Sequence, residues 1–496
     1  MLLFASRSTA QVRGTVSDEF QGEGTELKPY LIQSAADLRK LADDVEKGMT
    51  YREEFFLLTN NIMVNNGVLD ENGNLNEENS KSFEEWKPIG TEKTHFCGTL
   101  DGDHHSIYGL YINHEGETPK GLFAYLSGTV KNLAIRDSYF GSNSTMGSVA
   151  GIAETITINN KDYIPNISYC LNFATIEAAV YSSNKNGFCC GGICGEMDKG
   201  GSVSKCANWG HISGFREKSA SYGLCLGGII GEYYIPFASD KYKNFYDIFD
   251  CCNFGTVEYT GFNNGTAGGI IGEINNGYTS FICAWKFDIG ALEADDMDSH
   301  INNCVNHATI QSISNKTGGI GGGMQWCCID GCVNYGDIQC EARNNDNTEG
   351  YGAISGGYNK SHFIQNCAYL ETTCDIFSPS FSHKYTYSDA GNNKVLTRKE
   401  MKQQSFLDEL NANAKRLGRN YSQWKFGSDG FPTLAWVDNE LANSISNIPF
   451  TDKTIQNGTD KNIYNLNGQL IRSNTTDTEG LPRGLYIIGG KKIAVK

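Results

Sequence analysis

Apolar and small residues return in a fixed order along the middle of the chain, separated by polar stretches of unequal length. One recurring fragment reads Cys-x-Asn, a short turn, and an aliphatic residue six positions after the cysteine. Its five copies begin at Cys170, Cys206, Cys251, Cys304 and Cys332. Self-similarity at a spacing of a few tens of residues is typical of a stacked repeat protein, so it governs how every other motif is interpreted.

A second fragment, which begins with Gly-Gly-Ile, alternates with the first. Its copies start at Gly191, Gly227, Gly268 and Gly318, and the first three continue to Gly-Glu. The leading cysteines of the first fragment lie 28 to 53 residues apart. Unequal spacing on a regular stack indicates loops of different length between coils of similar structure.

Strand alternation places the Cys and Asn of each Cys-x-Asn unit on the same face, because side chains in a strand alternate with a period of two. In a parallel β-helix, equivalent positions stack about 4.8 Å apart and form columns. Small cysteines would fill the interior, and stacked asparagine amides would bond from coil to coil. Paired glycines would supply positive φ or close backbone approach at a corner. The prediction is an all-β chain, a parallel β-helix, whose recurrent residues are structural.

Two capping boxes predict short helices near the ends of this solenoid. Ser34 and Asp37 precede an apolar stripe, and Thr397 and Glu400 precede another. A helix at each end would shield an open rung, and the polar stretch between them at residues 65–85 reads as a surface excursion. We expect N-terminal strands and a capping helix at 11–85, the β-helix at 86–380, a C-terminal cap at 381–440 and a linker at 441–450.

Composition narrows the possible functions. The formal charge of −16 argues against a nucleic-acid partner, since phosphate binding needs basic patches. Most of the 17 cysteines fall at repeat positions, which favours buried free thiols over disulfides. The spacing Cys189-Cys190-x-x-x-Cys194 lacks a paired Cys-x-x-Cys, so no metal site and no cofactor is expected.

The first ten residues combine a short apolar run with Ser8-Thr9-Ala10, a small-residue pattern that precedes Gln11. We interpret residues 1–10 as the remnant of a secretion signal whose start lies upstream; a cytosolic protein with a loose N-terminus is the alternative. No stretch has the roughly 18 consecutive apolar residues of a membrane helix.

Several phrases before and within the repeat region resemble the GLUG-type repeats of bacterial surface proteins. They are Phe96 with Gly98-x-Leu100-Asp101-Gly102 and Ile107, Gly121-Leu122-Phe123, Val130-x-Asn132-Leu133, and the later Gly-Gly-Ile-x-Gly and Cys-x-Asn-x-Gly units. That family includes adhesin-like proteins and segments beside the catalytic domain of some IgA-type peptidases. The resemblance implies a displayed or secreted parallel β-helix.

The last stretch, 451–496, is similar to the C-terminal sorting domain of type IX secretion cargo. The residues that carry the similarity are Asn465, Gly468, Gln469, Pro482, Gly484, Tyr486 and Lys491. The resemblance implies a small β-sandwich that the outer-membrane export machinery recognises. It also implies a protein that is secreted or held on the outer-membrane surface of a Gram-negative bacterium.

These features together predict non-enzymatic adhesion to, or binding of, a host or matrix glycan or protein. Aromatic insertions after two Gly-Gly-Ile units are the candidate binding residues: Tyr233, Tyr234, Phe237, Tyr242, Tyr246, Tyr278 and Trp285. Exposed rings on a rigid stack would form a platform, although the same rings could instead pack back on the solenoid.

Two other functions remain open. A glycan-active β-helix enzyme needs converging carboxylates, and the only dense candidate, Asp101 to His105, reads equally well as an Asp-Gly turn. No catalytic residue is therefore predicted. A passive surface spacer is the third possibility.

Overall fold

The computed structural model describes residues 20–184, 186–235, 246–276, 299–314, 316–325, 327–341, 351–357, 363–374, 388–389, 392–418, 421–446, 463–465, 470–472, 477, 484–488 and 491–495. Four parallel sheets, named A to D in their order along one coil, surround one continuous apolar core. The predicted fold class, an all-β parallel β-helix, is confirmed.

Sheet A is the longest and has 19 strands. They are Tyr30–Ile32, Phe55–Leu58, Ile62–Met63, Thr99–Asp101, Ser106–Tyr108, Thr129–Arg136, Asn166–Asn172, Gly201–Ser204, Ala207–Asn208, Tyr246–Phe249, Cys252–Asn253, Ser299–Asn302, Val305–Asn306, Cys327–Asp330, Val333–Asn334, Phe363–Gln365, Ala368–Leu370, Ser388–Asp389 and Lys394–Leu396. The parallel stack therefore begins well before residue 86, although the domain boundaries themselves stay predictions.

Sheets B, C and D complete each coil. Sheet B contains Tyr111–Asn113, Tyr139–Ser142, Thr175–Val180, Ile212–Arg216, Val257–Gly261, Ile310–Ser312 and Ile338–Cys340. Sheet C contains Met146–Gly147, Phe188–Gly191, Leu224–Gly227, Gly265–Gly268 and Thr317–Gly318. Sheet D contains Phe123–Leu126, Ala150–Glu154, Cys194–Asp198, Ile230–Ile235, Ile271–Asn276 and Gly321–Gly323.

The asparagines of the Cys-x-Asn units form a buried ladder, as the sequence predicts. The side-chain amide of Asn172 donates to that of Asn208 (2.8 Å), which donates to that of Asn253 (2.9 Å). The ladder continues through Asn306 and Asn334 at 2.9 and 2.8 Å. Each Oδ1 also accepts from the backbone N–H two residues later, so every amide holds its own turn and the turn of the next coil.

The cysteines and aliphatic residues of the repeat also align. The thiols of six residues fill one buried column: Cys170, Cys206, Cys251, Cys304, Cys332 and Cys367. Each donates to the backbone carbonyl two residues earlier. Ile176, Ile212, Val257, Ile310 and Ile338 are register partners from coil to coil.

A left-handed residue precedes each cysteine of that column and bends sheet A. These residues are Tyr169, Lys205, Asp250, Asn303, Gly331 and Asn366, with φ between 49° and 67°. Asparagine, aspartate and glycine tolerate this conformation best, and together they occupy four of the six positions.

The two repeated fragments meet inside the coil. A Cβ built on Gly192 would lie 2.8 Å from Cγ of Asn208 and 2.3 Å from the carbonyl oxygen of Gly228. The second glycines at 228, 269 and 319 face Asn253, Asn306 and Asn334 in the same way. Of the two roles expected for the paired glycines, close backbone approach applies here, because none of these residues has positive φ.

A helix seals the first end of the core. Helix α1 (Ala35–Glu46) begins after Ser34, whose hydroxyl accepts from the backbone N–H of Asp37. Its buried stripe of Leu38, Leu41 and Val45 joins the core beside the first strands of sheet A.

The C-terminal helices lie along the side of the stack, whereas the sequence suggested a cap over its far end. Helices α2 (Arg398–Met401), α3 (Gln404–Arg416) and α4 (Ala435–Ser446) and the hairpin Trp424–Phe426/Pro432–Leu434 form what we name the covering segment. Helix α4 runs to Ser446 and Leu441 is buried, so the start of the segment expected to be a linker, 441–450, is helical.

The covering segment packs on the outward face of sheet A. Its apolar side chains contact the central residue of the Cys-x-Asn units, including Leu171, Ala207, Cys252 and Val305. The indole N–H of Trp424 donates to Asn303 Oδ1 (2.6 Å), and that of Trp436 donates to the carbonyl oxygen of Asp250 (2.9 Å).

An outer column of rings follows the asparagine ladder. Phe173, Trp209, Phe254, His307 and Tyr335, each directly after a ladder asparagine, stack at 4.7 to 5.0 Å between centroids. The guanidinium of Arg136 lies 3.8 Å from the centroid of Phe173 at one end, and Phe431 of the covering segment closes the other at 4.9 Å. Burial lowers the pKa of His307 to about 4, so this ring is neutral in the stack.

Besides the hairpin of the covering segment, two small β elements of the described residues lie outside the four main sheets. A hairpin, Ile156–Ile158/Lys161–Tyr163, projects from the coil, and the tail forms a four-stranded antiparallel sheet. The tail strands are Ile463–Asn465, Leu470–Arg472, Gly484–Ile488 and Lys491–Val495. The β-sandwich expected for this segment stays a prediction.

Candidate functional site

The outward face of sheet B carries a groove. Strand alternation buries Ile176, Ala178 and Val180 and turns Glu177 and Ala179 outward. Register then stacks Glu177, Ser213 and Glu258 in one outward column and Ala179, Phe215 and Thr260 in the next. These columns form the floor of a groove of about 610 Å³.

Two aromatic rings stand at one end of this groove. Phe215 is 44% exposed and Tyr181 is 38% exposed, and their ring centroids lie 6.5 Å apart. Phe262, 44% exposed, follows the next strand of the same sheet, and its N–H donates to the carbonyl oxygen of Arg216. Three consecutive coils therefore each present one exposed ring at the same end of sheet B.

Carboxylates and histidines supply the polar groups. Glu177 accepts from the Tyr139 hydroxyl (2.6 Å), which fixes one of its oxygens. His211 Nε2 lies 3.7 Å from Glu258 Oε2, and its Nδ1 pairs with Thr256 Oγ1 (2.6 Å). Burial and the hydrogen bond to Glu177 raise the pKa of Tyr139, so the phenol keeps its proton and remains a donor.

The polar excursion at residues 65–85 packs on Tyr139, which lines the groove. Val68, Leu69 and Leu75 pack on Tyr139 in a small apolar cluster, and the carboxylate of Asp137 accepts from the N–H groups of Gly67 and Leu69. Burial raises the pKa of Asp137 to about 6 even though these N–H groups oppose the shift. The excursion is thus pinned to the solenoid beside the groove.

Of the seven aromatic residues predicted from the sequence, two have side chains in the described structure, Tyr233 and Tyr234. Tyr233 is wrong as an exposed binding residue: it is 1% exposed and its hydroxyl donates to the carbonyl oxygen of Gly201. Its position in Ile230–Ile235 alternates inward with Ile235. Tyr234 is half-buried and pairs in register with Asn275.

The other predicted binding residues cannot be placed on a surface. Phe237, Tyr242, Tyr278 and Trp285 lie outside the described residues, as does the side chain of Tyr246. Of the sorting motif, Asn465, Gly484, Tyr486 and Lys491 lie in strands of the tail sheet. Gly468, Gln469 and Pro482 are outside the described residues.

The Asp101–His105 turn is structural. Asp101 Oδ1 accepts from the N–H of Asp103 and the amide of Asn132, both at 2.9 Å, and Oδ2 pairs with Lys131 at 3.1 Å. His104 Nδ1 pairs with Glu440 of the covering segment at 2.8 Å. The carboxylate and imidazole are thus both held by neighbours.

The groove residues were not among those predicted from the sequence, although the repeat pattern bears on one of them. Alternation from Ile212, the aliphatic residue of the repeat, places Gly214 inward and Phe215 outward, so the signal was present. The insertions after the Gly-Gly-Ile units contain many aromatic residues, so they, rather than the single ring of Phe215, were predicted to bind.

No family model matches the chain. A "Putative Gly-rich membrane protein" of Evansella cellulosilytica is 27% identical over 149 residues, which is 30% of this chain and 15% of that protein. Halomucin of Haloquadratum walsbyi is 28% identical over 154 residues, 29% of this chain and 2% of that protein. The chain therefore spans only a small part of the curated relatives it matches.

Among solved structures, one described as "a putative immunoglobulin A1 protease from Bacteroides ovatus" aligns with a TM-score of 0.48 and 17% identity. The alignment covers 84% of this chain and 94% of that chain. Among the helices described here, none is long and apolar enough to span a bilayer.

Proposed function

We propose that the chain is a secreted or surface-displayed β-helix that binds an extended glycan of a host or a matrix along the groove of sheet B. The observation that carries the proposal is the pair of exposed rings, Tyr181 and Phe215, beside the outward carboxylates of Glu177 and Glu258. Aromatic faces pack on the apolar faces of sugar rings, and carboxylates accept from sugar hydroxyls.

The stacked geometry favours a ligand with a repeating backbone. Successive coils present equivalent positions about 4.8 Å apart, so a linear chain laid across the coils meets similar contacts at regular intervals. A protein segment in extended conformation would use the same surface, and it is the other outcome that a binding screen distinguishes.

Surface display is supported by three separate lines. The GLUG-like phrases and the sorting-type tail resemble exported bacterial proteins, and the Gly-rich relative is named as a membrane protein. The export machinery would recognise the tail, of which four strands are described.

A second function, glycoside hydrolysis, is favoured by one observation. Glu177 and Glu258 point the same way with Ser213 between them, two coils apart, which corresponds to roughly 9–10 Å between strands. Inverting glycosidases separate their two carboxyl groups by about 6.5–9.5 Å.

Binding of the full chain to arrays of glycans and matrix proteins tests the main proposal. We expect Tyr181→Ala/Phe215→Ala to weaken binding at least tenfold, because both rings are lost from the groove. Tyr163→Ala is the matched control, since Tyr163 is a half-buried ring on the projecting hairpin. If the double variant binds as tightly as the wild type, the groove is not the binding site. If the wild-type chain binds no glycan and no matrix protein, the passive-spacer function is favoured.

Product analysis on the bound glycans separates binding from hydrolysis. An enzyme would release new reducing ends, and Glu177→Gln and Glu258→Gln would each abolish that release. If the wild type retains a glycan and releases no product, the hydrolase is excluded for that ligand and the binding function stands.

A further inference from the structure

Sheets C and D bring two thiols and a carboxylate together, away from the groove of sheet B. Cys189 and Cys225 are register partners in neighbouring strands of sheet C. The thiol of Cys189 lies 2.8 Å from Glu232 Oε2. The two sulfur atoms and an oxygen of Glu232 all lie within 4.8 Å of one another.

A second carboxylate is within reach of this cluster. Cys225 Sγ lies 3.2 Å from Glu273 Oε2, and Glu232 and Glu273 are register partners in sheet D. The amide of Asn275 donates to Glu232 Oε1 (3.0 Å) and orients the other oxygen toward Cys189. Two sulfurs and two carboxylates are a donor set that suits a tetrahedral Zn²⁺ ion.

Without a cation, the cluster places acidic groups close together with little positive charge to offset them. Glu196, Glu232 and Glu273 stack in one column, so three carboxyl groups lie on successive strands of sheet D. When ionised, these neighbouring carboxyl groups repel one another, because like charges close together in a buried site are destabilising. A bound dication would offset this repulsion, as counter-ions commonly do in buried acidic sites.

One polar atom beside the cluster also lacks a partner. Thr266 follows Cys225 in the same column of sheet C and is 1% exposed. Its Oγ1 is buried and has no hydrogen-bond partner within the described residues. The geometry points to a site for a thiophilic divalent cation such as Zn²⁺, held by Cys189, Cys225 and Glu232 and completed by Glu273.

This site differs from the spacing visible in the sequence. Cys190 and Cys194, which follow Cys189 in the linear motif, are fully buried in the apolar core. The groups that meet Cys189 in the cluster, Cys225 and Glu232, come instead from 36 and 43 positions later. Cysteine spacing along the chain therefore gives no indication of the site.

Binding of a metal ion to the two thiols must displace their protons. Two neutral thiols and the carboxylates of Glu232 and Glu273 plus one dication give two metal–sulfur bonds, two metal–oxygen bonds and two released protons, one from each thiol. Both thiols are buried, which favours the neutral form, so both enter as S–H. The groups that face them are Glu196, Glu232, Glu273 and, farther along sheet C, Lys316.

Titration of the reduced full chain with Co²⁺ tests the site. We expect one thiolate-to-cobalt charge-transfer band that saturates at one ion per chain, disappears on addition of Zn²⁺ and releases two protons per ion. Cys189→Ser/Cys225→Ser should lose the band, and Glu232→Gln should weaken binding at least tenfold while the fold is retained by circular dichroism.

Cys340→Ser is the matched control, because Cys340 is a half-buried thiol of sheet B outside the cluster. It should keep the band and the stoichiometry. A wild type without the band under reducing conditions, or a band of full intensity in the double variant, would overturn the proposal. If the double variant does not fold, Glu232→Gln decides: unchanged affinity would also overturn it.

Discussion

Sheets A and B are built from the same coils, yet their outward faces differ completely. Outward residues of sheet A, such as Leu171 and Val305, are buried under the covering segment. Outward residues of sheet B, such as Glu177 and Phe215, line a groove. The comparison teaches that the repeat fixes the interior of the solenoid, whereas the role of each face depends on what packs on it.

The largest effect should come from uncovering sheet A. Trp424→Ala removes a ring that is 3% exposed together with its hydrogen bond to Asn303, so we expect a loss of about 3–5 kcal/mol in the free energy of unfolding. Denaturant titration measures it, and hydrogen exchange should show faster exchange in the covering segment. A loss below about 1 kcal/mol would mean that the segment contributes little to stability.

Removing an amide from the buried asparagine ladder should cost more stability than removing one from an exposed side-chain pair. Asn253→Ala removes the bonding partner of the side-chain N–H of Asn208, the side-chain carbonyl of Asn306 and the backbone N–H of Gly255. We expect the free energy of unfolding to fall by about 2–4 kcal/mol. The control is Gln311→Ala, which breaks an exposed Gln311–Gln339 bond of 3.0 Å on sheet B. We expect the control to change stability by about 0.5 kcal/mol or less in the same denaturant titration. Similar losses in both variants would contradict the distinction.

The carboxyl column of sheet D predicts a pH dependence. The pKa of Glu196 in the folded chain, about 8, is above its ordinary value of 4.5, so folding favours the neutral form. Its contribution is fully present below about pH 4.5 and is lost as pH rises to about 8. Glu196→Gln should therefore gain about 2–4 kcal/mol over wild type at pH 8, with chelator present, and little at pH 4.5.

Glu258→Gln is the control for removing one carboxylate, this time from the groove of sheet B. Unfolding measured at several pH values should show the pH-dependent gain only for Glu196→Gln. A gain of equal size in both variants would mean that overall charge, rather than the buried column, sets the dependence.

The smallest effect on stability is expected in the groove. Phe215→Ala exposes little new apolar surface, since the ring is 44% exposed already, so stability should change by about 0.5 kcal/mol or less. The thermal midpoint measures this, and the same variant should bind glycan more weakly. A large loss of stability would indicate that the ring is a packing element.

Local sequence was sufficient for the interior. The small cysteines of the repeat were predicted to fill the interior, and they are buried in the core. The stacked asparagine amides were predicted to bond from coil to coil, and those of Asn172 and Asn208 do so. The capping box at Thr397 is present with both of its hydrogen bonds. These features depend on strand alternation and helix-end chemistry, which act within a few residues.

The groove was only partly accessible from the sequence. Alternation could have turned Phe215 outward, but its proximity to Tyr181 depends on the pairing of two strands separated by a loop. Phe215 is an exposed ring that was not predicted to bind, whereas Tyr233 was predicted to be exposed and is buried. The Tyr233 hydroxyl donates to the carbonyl oxygen of Gly201. Burial of a large ring depends on neighbours that the local pattern does not specify.

By itself, the sequence determined that the chain winds into a parallel stack, which residues fill its core and which side chains repeat in register. Only the tertiary structure decided that the covering segment lies on sheet A, where Trp424 reaches Asn303 across 121 positions, and that Cys189 meets Glu232 across 43. The physical reason is that these contacts join residues far apart in the sequence and occur only once. A period records contacts that recur in every coil, whereas a contact made once leaves no periodic trace in the chain.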